Sequence, residues 1–430
     1  MLAAQSKPRV FLFLQGPHGP FFHRLGALLR RTGATVWRVG FNAGDQAFWF
    51  DKQSYIPFRA QPSDWPATFA KIVTQKSVTD VVLYGDVRPV HAKAIAEAKR
   101  RGITVHIFEE GYMRPYWVTY ERGGTNGNSR LMDMSICDIR TILAGSDMET
   151  PLPPAHWGDM RQHIFYGALY HWFVMFRNSG YRNFQPHRSI DTSKEFRLYL
   201  KRLLLMPFHA LERVRATSRI KRGGFPYHLA LLQLEHDSSF QHHSPFSSIT
   251  EFLDIVIQGF AKGAPRHHHL VIKAHPLEDE RAPIRRTIRK AAHFYRVKDR
   301  VHYVRGGKLA HLLNDAQSAV TVNSTAAQQV LWRGMPLKVF GQAVFDKPEF
   351  VSTQSLPDFF TSPTRPDNQA YQEFRRYLLQ TSQVPGGFYS TRGRRQLLRR
   401  VVDMMLSPKD PYDALHARTA APTQQLRLVT

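Results

Sequence analysis

Twice along this chain, short runs of β-branched and aromatic residues alternate with helical stretches, and that alternation leaves few folds open. In the first half, residues 9–14 (RVFLFL), 35–41, 80–84 and 103–108 read as strands. Helices fit between them at 21–31, closed by Gly33, at 64–75, and at 91–101, closed by Gly102. Strands joined by crossover helices run parallel, so the loops at 15–20, 42–45, 85–90 and 109–115 share one rim of a doubly wound sheet. The pattern resumes with strands at 227–235, 268–273, 300–304, 319–322 and 336–340, separated by helices at 249–260, 280–293, 309–314 and 326–332. With 430 residues the chain exceeds one ordinary core. The expected architecture is α/β: two Rossmann-like domains facing each other across a cleft, at 1–150 and 226–365, with a helical insert at 151–225. Residues 366–430 are expected to supply helices at 366–382 and 391–406 that pack back on the first domain, then a loose tail from Ser407.

The first carboxylates of interest stand where the fourth strand stops. Glu109 and Glu110 follow Phe108 and precede Gly111, which places them at the carboxyl rim where open parallel sheets bind ligands. Successive strand residues point to opposite faces, so one of the two is expected to face the ligand. Two acids beside Arg114 also suit an ordinary turn. Residues 117–130 (WVTYERGGTNGNSR) read as a polar, glycine-bearing loop. Gly16, in the 15–20 loop, could allow close backbone approach of a phosphate or sugar, although without GxGxxG spacing a plain turn fits better.

Composition narrows the partners. A formal charge of +25 asks for something acidic: nucleic acid, anionic lipid or a phosphorylated substrate. No nucleic-acid-binding motif is present, and nucleic acid is not expected. The single cysteine, Cys137, excludes an intrachain disulfide framework and fits a reducing compartment. The polar opening residues run straight into a strand with no signal-peptide core, and the most apolar later stretch, 164–176, is interrupted by His171. A cytoplasmic location is expected. In the insert, Trp157, Phe165, Tyr166, Tyr170, His171, Trp172 and Phe173 make an aromatic helical stretch, followed at 194–222 by an excess of Lys and Arg. It reads either as a connector packed on the sheet or as an element for an anionic membrane surface or acceptor.

The second half offers further candidates. Ser324 and Thr325 lie between a strand and the next helix, where hydroxyls and free N–H groups can hold a phosphate or simply cap the helix. His275, after the 268–273 strand, can hydrogen-bond or protonate a leaving phosphate, with Lys273 adding charge and Pro276 shaping the turn, although a lone His-Pro is more often an ordinary turn. The His267-His268-His269 run puts its rings on alternate strand faces, which argues against a metal site. No Asp-x-Asp occurs, so metal-chelated nucleotide diphosphate is not supported, and a metal-free reaction on a nucleoside monophosphate leaving group fits better.

In order, Glu109-Glu110-Gly111, His275-Pro276 and Ser324-Thr325 resemble the acid-acid-Gly, His-Pro and Ser-Ser/Thr motifs of bacterial GT-B sialyltransferases that use CMP-activated sugars. More specifically, FLFLQGP (11–17) with PFF (20–22), FNAGD (41–45), FEEGYMRP (108–115), LQLEHDS (232–238) and HSPF (243–246) resemble the capsule polysaccharide biosynthesis family that contains the KpsS- and KpsC-type β-Kdo transferases. The resemblance spans roughly 9–350 and fits the KpsS-like branch best.

It implies a GT-B-like fold and transfer of Kdo from CMP-Kdo to lyso-phosphatidylglycerol, starting the poly-Kdo linker of a Gram-negative capsule. The family chemistry is retaining. Carried over, Glu110 is the reactive carboxylate, with Glu109 second, and His275 is the CMP-phosphate partner. Ser324 and Thr325 hold that phosphate with Lys273 and Pro276 beside it. Here the motif reads Asn-Ser-Thr, which leaves the part of Asn323 open. Gln15, Gly16, Asn42, Arg114 and Asn126 are acceptor-side or sugar-side candidates from rim position and motif match. No cofactor beyond the donor substrate is implied. The implied partners are CMP-Kdo, an anionic glycerophospholipid, the inner-membrane surface and other proteins of capsule synthesis and export. A different CMP-sugar transferase, or a non-catalytic lipid- or polysaccharide-binding protein, remains an alternative, as does the choice of base or nucleophile for Glu110.

Overall fold

The computed structural model describes residues 8–146, 149–155, 158–185, 192–278 and 280–418, with the backbone alone at 160, 192–204 and 206. Trp157 and the last twelve residues of the expected tail lie outside the described residues. The strands are β1 (Val10–Phe13), β2 (Thr35–Gly40), β3 (Tyr55–Pro57), β4 (Asp80–Tyr84), β5 (Thr104–Glu110), β6 (Trp117–Arg122), β7 (Tyr227–Leu231), β8 (His269–Lys273), β9 (Val301–Val304), β10 (Ala316–Thr321), β11 (Leu337–Val339) and β12 (Gln383–Pro385). They fall in two compact units. One comprises the chain up to Arg130, Thr141–Thr192 and the chain from Arg376; the other comprises Leu131–Arg140 and Ser193–Arg375.

The first unit carries the sheet β12-β6-β5-β4-β1-β2-β3. Strands β3, β2, β1, β4 and β5 pair in parallel, whereas β6 and β12 are antiparallel additions on one side. Alternation along β1 divides the core in two. Phe11 and Phe13 join Phe21, Phe22, Phe108, Leu397 and Val401 on one face. Leu12 and Leu14 join Trp65, Phe69, Ala94 and Ile107 on the other. The C-terminal helix Thr391–Leu406 is therefore part of the first core, burying Leu397, Leu398 and Val401.

Three expectations need correction. Residues 117–122 are not loop but β6, with Glu109 opposite Thr119 and Glu110 opposite Val118. Trp117, Val118 and Tyr120 are buried there, and Glu121 is buried too, its carboxyl held between the Tyr112 and Ser129 hydroxyls. As a result β5 extends two residues past Phe108, through both glutamates. The segment after Ser407 is not loose throughout: Asp410 caps a short helix, Pro411–His416, which buries Tyr412 and Leu415. The helix expected from 280 starts only at Ile284, after Pro283.

The second unit holds a wholly parallel sheet, β11-β10-β7-β8-β9. Both parallel cores thus have the Rossmann order 3-2-1-4-5, with a topological switch between β1 and β4 in one and β7 and β10 in the other. Among the described residues no helix is long and apolar enough to cross a membrane.

Candidate functional site

Glu109 and Glu110 end β5 half-buried, one strand from the β1/β4 switch point. The Glu110 N–H donates to Glu109 Oε1 at 3.0 Å, and the Tyr84 hydroxyl donates to Glu110 Oε1 at 3.2 Å. Tyr84 is held strongly in its phenol form, first by burial and then by the Glu110 charge. Tyr389 is raised by the same two causes in the same order. The His163 ring stacks on Tyr389, with centroids 3.9 Å apart and planes at 3°. Arg88, in the loop after β4, lies 5.4 Å from the Tyr84 ring centroid. Gly85 opens that loop with φ of +72°, and a Cβ there would sit 3.1 Å from Glu109 Oε2. The loop therefore turns where only glycine does so without strain, and it approaches the glutamate closely. The result is a carboxylate pair walled by phenols, an imidazole and a guanidinium.

Gln15, Gly16 and Asn42 share the rim but serve its scaffold. Buried Asp45 accepts from Gln15 Nε2 (3.2 Å), the Phe41 N–H (3.0 Å), Arg38 (3.3 Å) and the Tyr170 hydroxyl (3.3 Å). Asn42 is fully buried; its carbonyl accepts the Asp45 N–H and its amide donates to Tyr170 at 2.7 Å. Gly16 leaves room for Phe22, whose ring would lie 2.5 Å from an added Cβ. Tyr170 and Tyr166 belong to the helix Met160–Phe176, which lies over this rim: Tyr170 stacks on His18 at 4.3 Å, and Tyr166 packs on Phe48.

Arg114 is exposed in the turn after the glutamates. Asn126 adopts φ of +53°, a conformation asparagine tolerates, and its N–H donates to the Tyr112 hydroxyl at 2.7 Å. Tyr112 in turn donates to Glu121 Oε1 at 2.6 Å, and Ser129 donates to Glu121 Oε2. Burial pushes the Glu121 carboxyl up to about 7. Asp86 fixes the same turn from below, accepting from the Thr125 N–H and Asn128. These contacts tie the segment after Glu110 to the 125–129 turn.

In the second unit, Lys273 ends β8 at 6% exposure, with a long 3.5 Å approach to the Ala274 carbonyl. Burial first, and then Arg213, lower its ammonium to about 8. A buried cation beside another cation at a strand's carboxyl end favours an anion. Two residues on, His275 Nδ1 accepts the Leu277 N–H at 3.1 Å, so the neutral ring carries its proton on Nε2 as a donor. Pro276 is exposed beside it. Asn323, at the β7/β10 switch, is spent internally: it accepts from Gln233 and donates to the Ser239 and His243 carbonyls. Ser324 caps the turn that follows, accepting the Ala326 N–H at 3.3 Å, and Thr325 is half-buried next to it.

Sequence reasoning missed Tyr84, Arg88, His163, Tyr389, Arg213 and Gln233. Arg88 was within reach, since it lies in the 85–90 loop already assigned to the rim. Tyr389 and His163 come from distant segments and carry no local signal. The His267–His269 run behaves as alternation requires: His268 Nδ1 meets His228 at 3.0 Å, while His269 Nδ1 meets His302 at 2.8 Å.

A family model described as "Capsule polysaccharide biosynthesis protein" matches residues 79–389. The chain is 29% identical over 380 residues to the capsule polysaccharide export protein KpsS of Escherichia coli, covering 88% of this chain and 96% of that protein. It is 31% identical over 388 residues to the capsule polysaccharide modification protein LipB of Neisseria meningitidis, covering 88% and 91%. Among solved structures it is similar to Thermosulfurimonas dismutans KpsC, a beta Kdo 2,7 transferase, with a TM-score of 0.38 and 12% identity over 85% of this chain and 99% of that one.

Proposed function

The chain belongs to the capsule polysaccharide biosynthesis protein family, and from that premise we propose that it is a glycosyltransferase moving Kdo from CMP-Kdo to a lyso-phosphatidylglycerol acceptor. The observation that carries this reading is the carboxylate pair at the end of β5, half-buried among Tyr84, Tyr389 and Arg88 on a ligand-binding rim.

In the proposed chemistry, Glu110 attacks the anomeric carbon of Kdo while the bond to the CMP phosphate oxygen breaks, and CMP leaves with the bonding pair. The acceptor hydroxyl then attacks the same carbon, its proton passing to Glu109, and Glu110 is released. Two inversions give net retention. Lys273 and the Nε2–H of His275 stabilise the departing phosphate, with Ser324 and Thr325 as further donors. Pro276 shapes the turn that presents His275. Arg114 is retained as an acceptor-side contact, and Asn126 as part of the turn beside it. Gln15, Gly16, Asn42 and Asn323 support the two rims from within. No resident cofactor or metal enters this scheme. The reaction would take place at the cytoplasmic face of the inner membrane, alongside other proteins of capsule synthesis and export.

The test is transfer itself. Purified protein, CMP-Kdo generated in situ and a fluorescent lyso-phosphatidylglycerol analogue are incubated and the lipid is weighed by mass spectrometry. An added Kdo mass is expected. Addition from CMP-sialic acid but not CMP-Kdo would assign a different CMP-sugar transferase. Lipid bound but unmodified, with the donor intact, would assign a binding protein.

A further inference from the structure

Two helices hold large apolar side chains in water. On Met160–Phe176, Ile164, Phe165, Trp172 and Phe176 are 64%, 59%, 43% and 66% exposed. Helical periodicity puts Phe165, Trp172 and Phe176 within about 40° of one another. Tyr166 and Tyr170 point the other way, onto Phe48 and His18. A helix apolar on both sides is ordinarily buried, and this one is buried on one side only. On Thr192–Gly223, Phe208, Leu211 and Val214 are 70%, 48% and 60% exposed. One turn further along that face, Arg215, Arg219 and Arg222 line a shallow depression.

Charge borders the first face as well. Arg161 and Arg177 stand exposed at the two ends of its helix. Thr391 donates to Gln162 at 3.2 Å, which brings the first turn of the C-terminal helix, with Arg392 and Arg395, to the same end. Exposed aromatics bordered by arginines, on helices too short or too charged to span, are what an anionic bilayer interface selects. A second copy of this chain is a poorer occupant. It would bury the arginines of the second helix, and the one acid of that helix whose side chain is described, Glu212, is turned to Arg285.

We propose that each of these faces, taken by itself, is a contact for an anionic bilayer, its aromatic and aliphatic side chains entering the acyl boundary and its arginines taking lipid phosphates. The purpose of such a seat rests on the lipid-acceptor reading, but its test does not.

The full chain is floated with vesicles of phosphatidylcholine alone and with added phosphatidylglycerol. Wild type is expected to float with the anionic vesicles. The combined variant Phe165→Ser, Trp172→Ser, Phe176→Ser, Phe208→Ser should partition roughly tenfold more weakly or worse, because each aromatic withdrawn from the interface removes apolar burial. Arg215→Glu, Arg219→Glu, Arg222→Glu should abolish the preference for phosphatidylglycerol. Unchanged flotation of both variants would overturn the proposal. Loss of self-association in sedimentation, with flotation intact, would overturn it in favour of a protein interface. Transfer to a water-soluble short-chain acceptor should persist in the variants. If wild type shows no transfer yet flotation depends on these faces, the seat stands and the catalytic reading fails.

Discussion

Replacing Glu121 by Gln should change how stability depends on pH, and the structure gives the size of the change. Glu121 is 1% exposed on β6, accepts hydrogen bonds from Tyr112 and Ser129, and is raised by burial from 4.5 to about 7. Below about pH 4.5 both folded and unfolded chains carry its proton, and the group adds no pH dependence. Between 4.5 and 7 the unfolded chain has lost the proton and the folded one keeps it, so stability falls as pH rises. Above 7 both are ionised and the dependence ends. The shift corresponds to about 3 kcal/mol at ~1.4 kcal/mol per pH unit. Urea unfolding of wild type and Glu121→Gln at a series of pH values isolates this group, because every other titrating residue is common to both. The gap between the two stabilities should move by about 3 kcal/mol across pH 4.5–7, in favour of the variant as pH rises. A gap that stays flat, or moves the other way, would refute the argument that burial keeps this carboxyl protonated.

Asp45→Ala should lower stability by about 3–5 kcal/mol in thermal unfolding, since it leaves buried Arg38 unpaired and frees the Gln15 and Tyr170 donors. Gly16→Ala should cost about 1–3 kcal/mol by driving a methyl into the Phe22 ring, read as a lower melting temperature. Lys273→Met should weaken CMP binding in calorimetry. In wild type that affinity should fall as pH rises above about 8, because only the protonated ammonium attracts phosphate.

The alternation of strands and helices was enough to read both parallel sheets apart from the three-residue edge strand β3, because buried parallel strands of ordinary length are short apolar runs that no exposed element imitates. What escaped did so for identifiable reasons. β6 contains Glu121 and Arg122 and is followed by two glycines, and its acid is tolerated only because Tyr112 and Ser129 converge on it from other segments. β12 is three residues contributed from far along the chain, with nothing local to mark it. At the candidate site, rim position was legible from topology, but the direction of each side chain was not. Asn42 and Asn323 sit on the carboxyl rims of the two sheets, yet both are consumed by neighbouring backbone and side-chain groups. Tyr84 and Tyr389 flank Glu110, and nothing in their sequence neighbourhoods announces it.

The most direct test of the account is the turnover of CMP-Kdo by Glu110→Gln, measured beside Glu109→Gln, with CMP affinity determined for each. Removing the reacting carboxylate should lower kcat by roughly a thousandfold or more while leaving CMP affinity within a few-fold of wild type. Glu109→Gln should retain more activity than Glu110→Gln. A Glu110→Gln protein that turns over CMP-Kdo and extends the lipid at close to the wild-type rate would contradict the assignment of Glu110 as the reacting group.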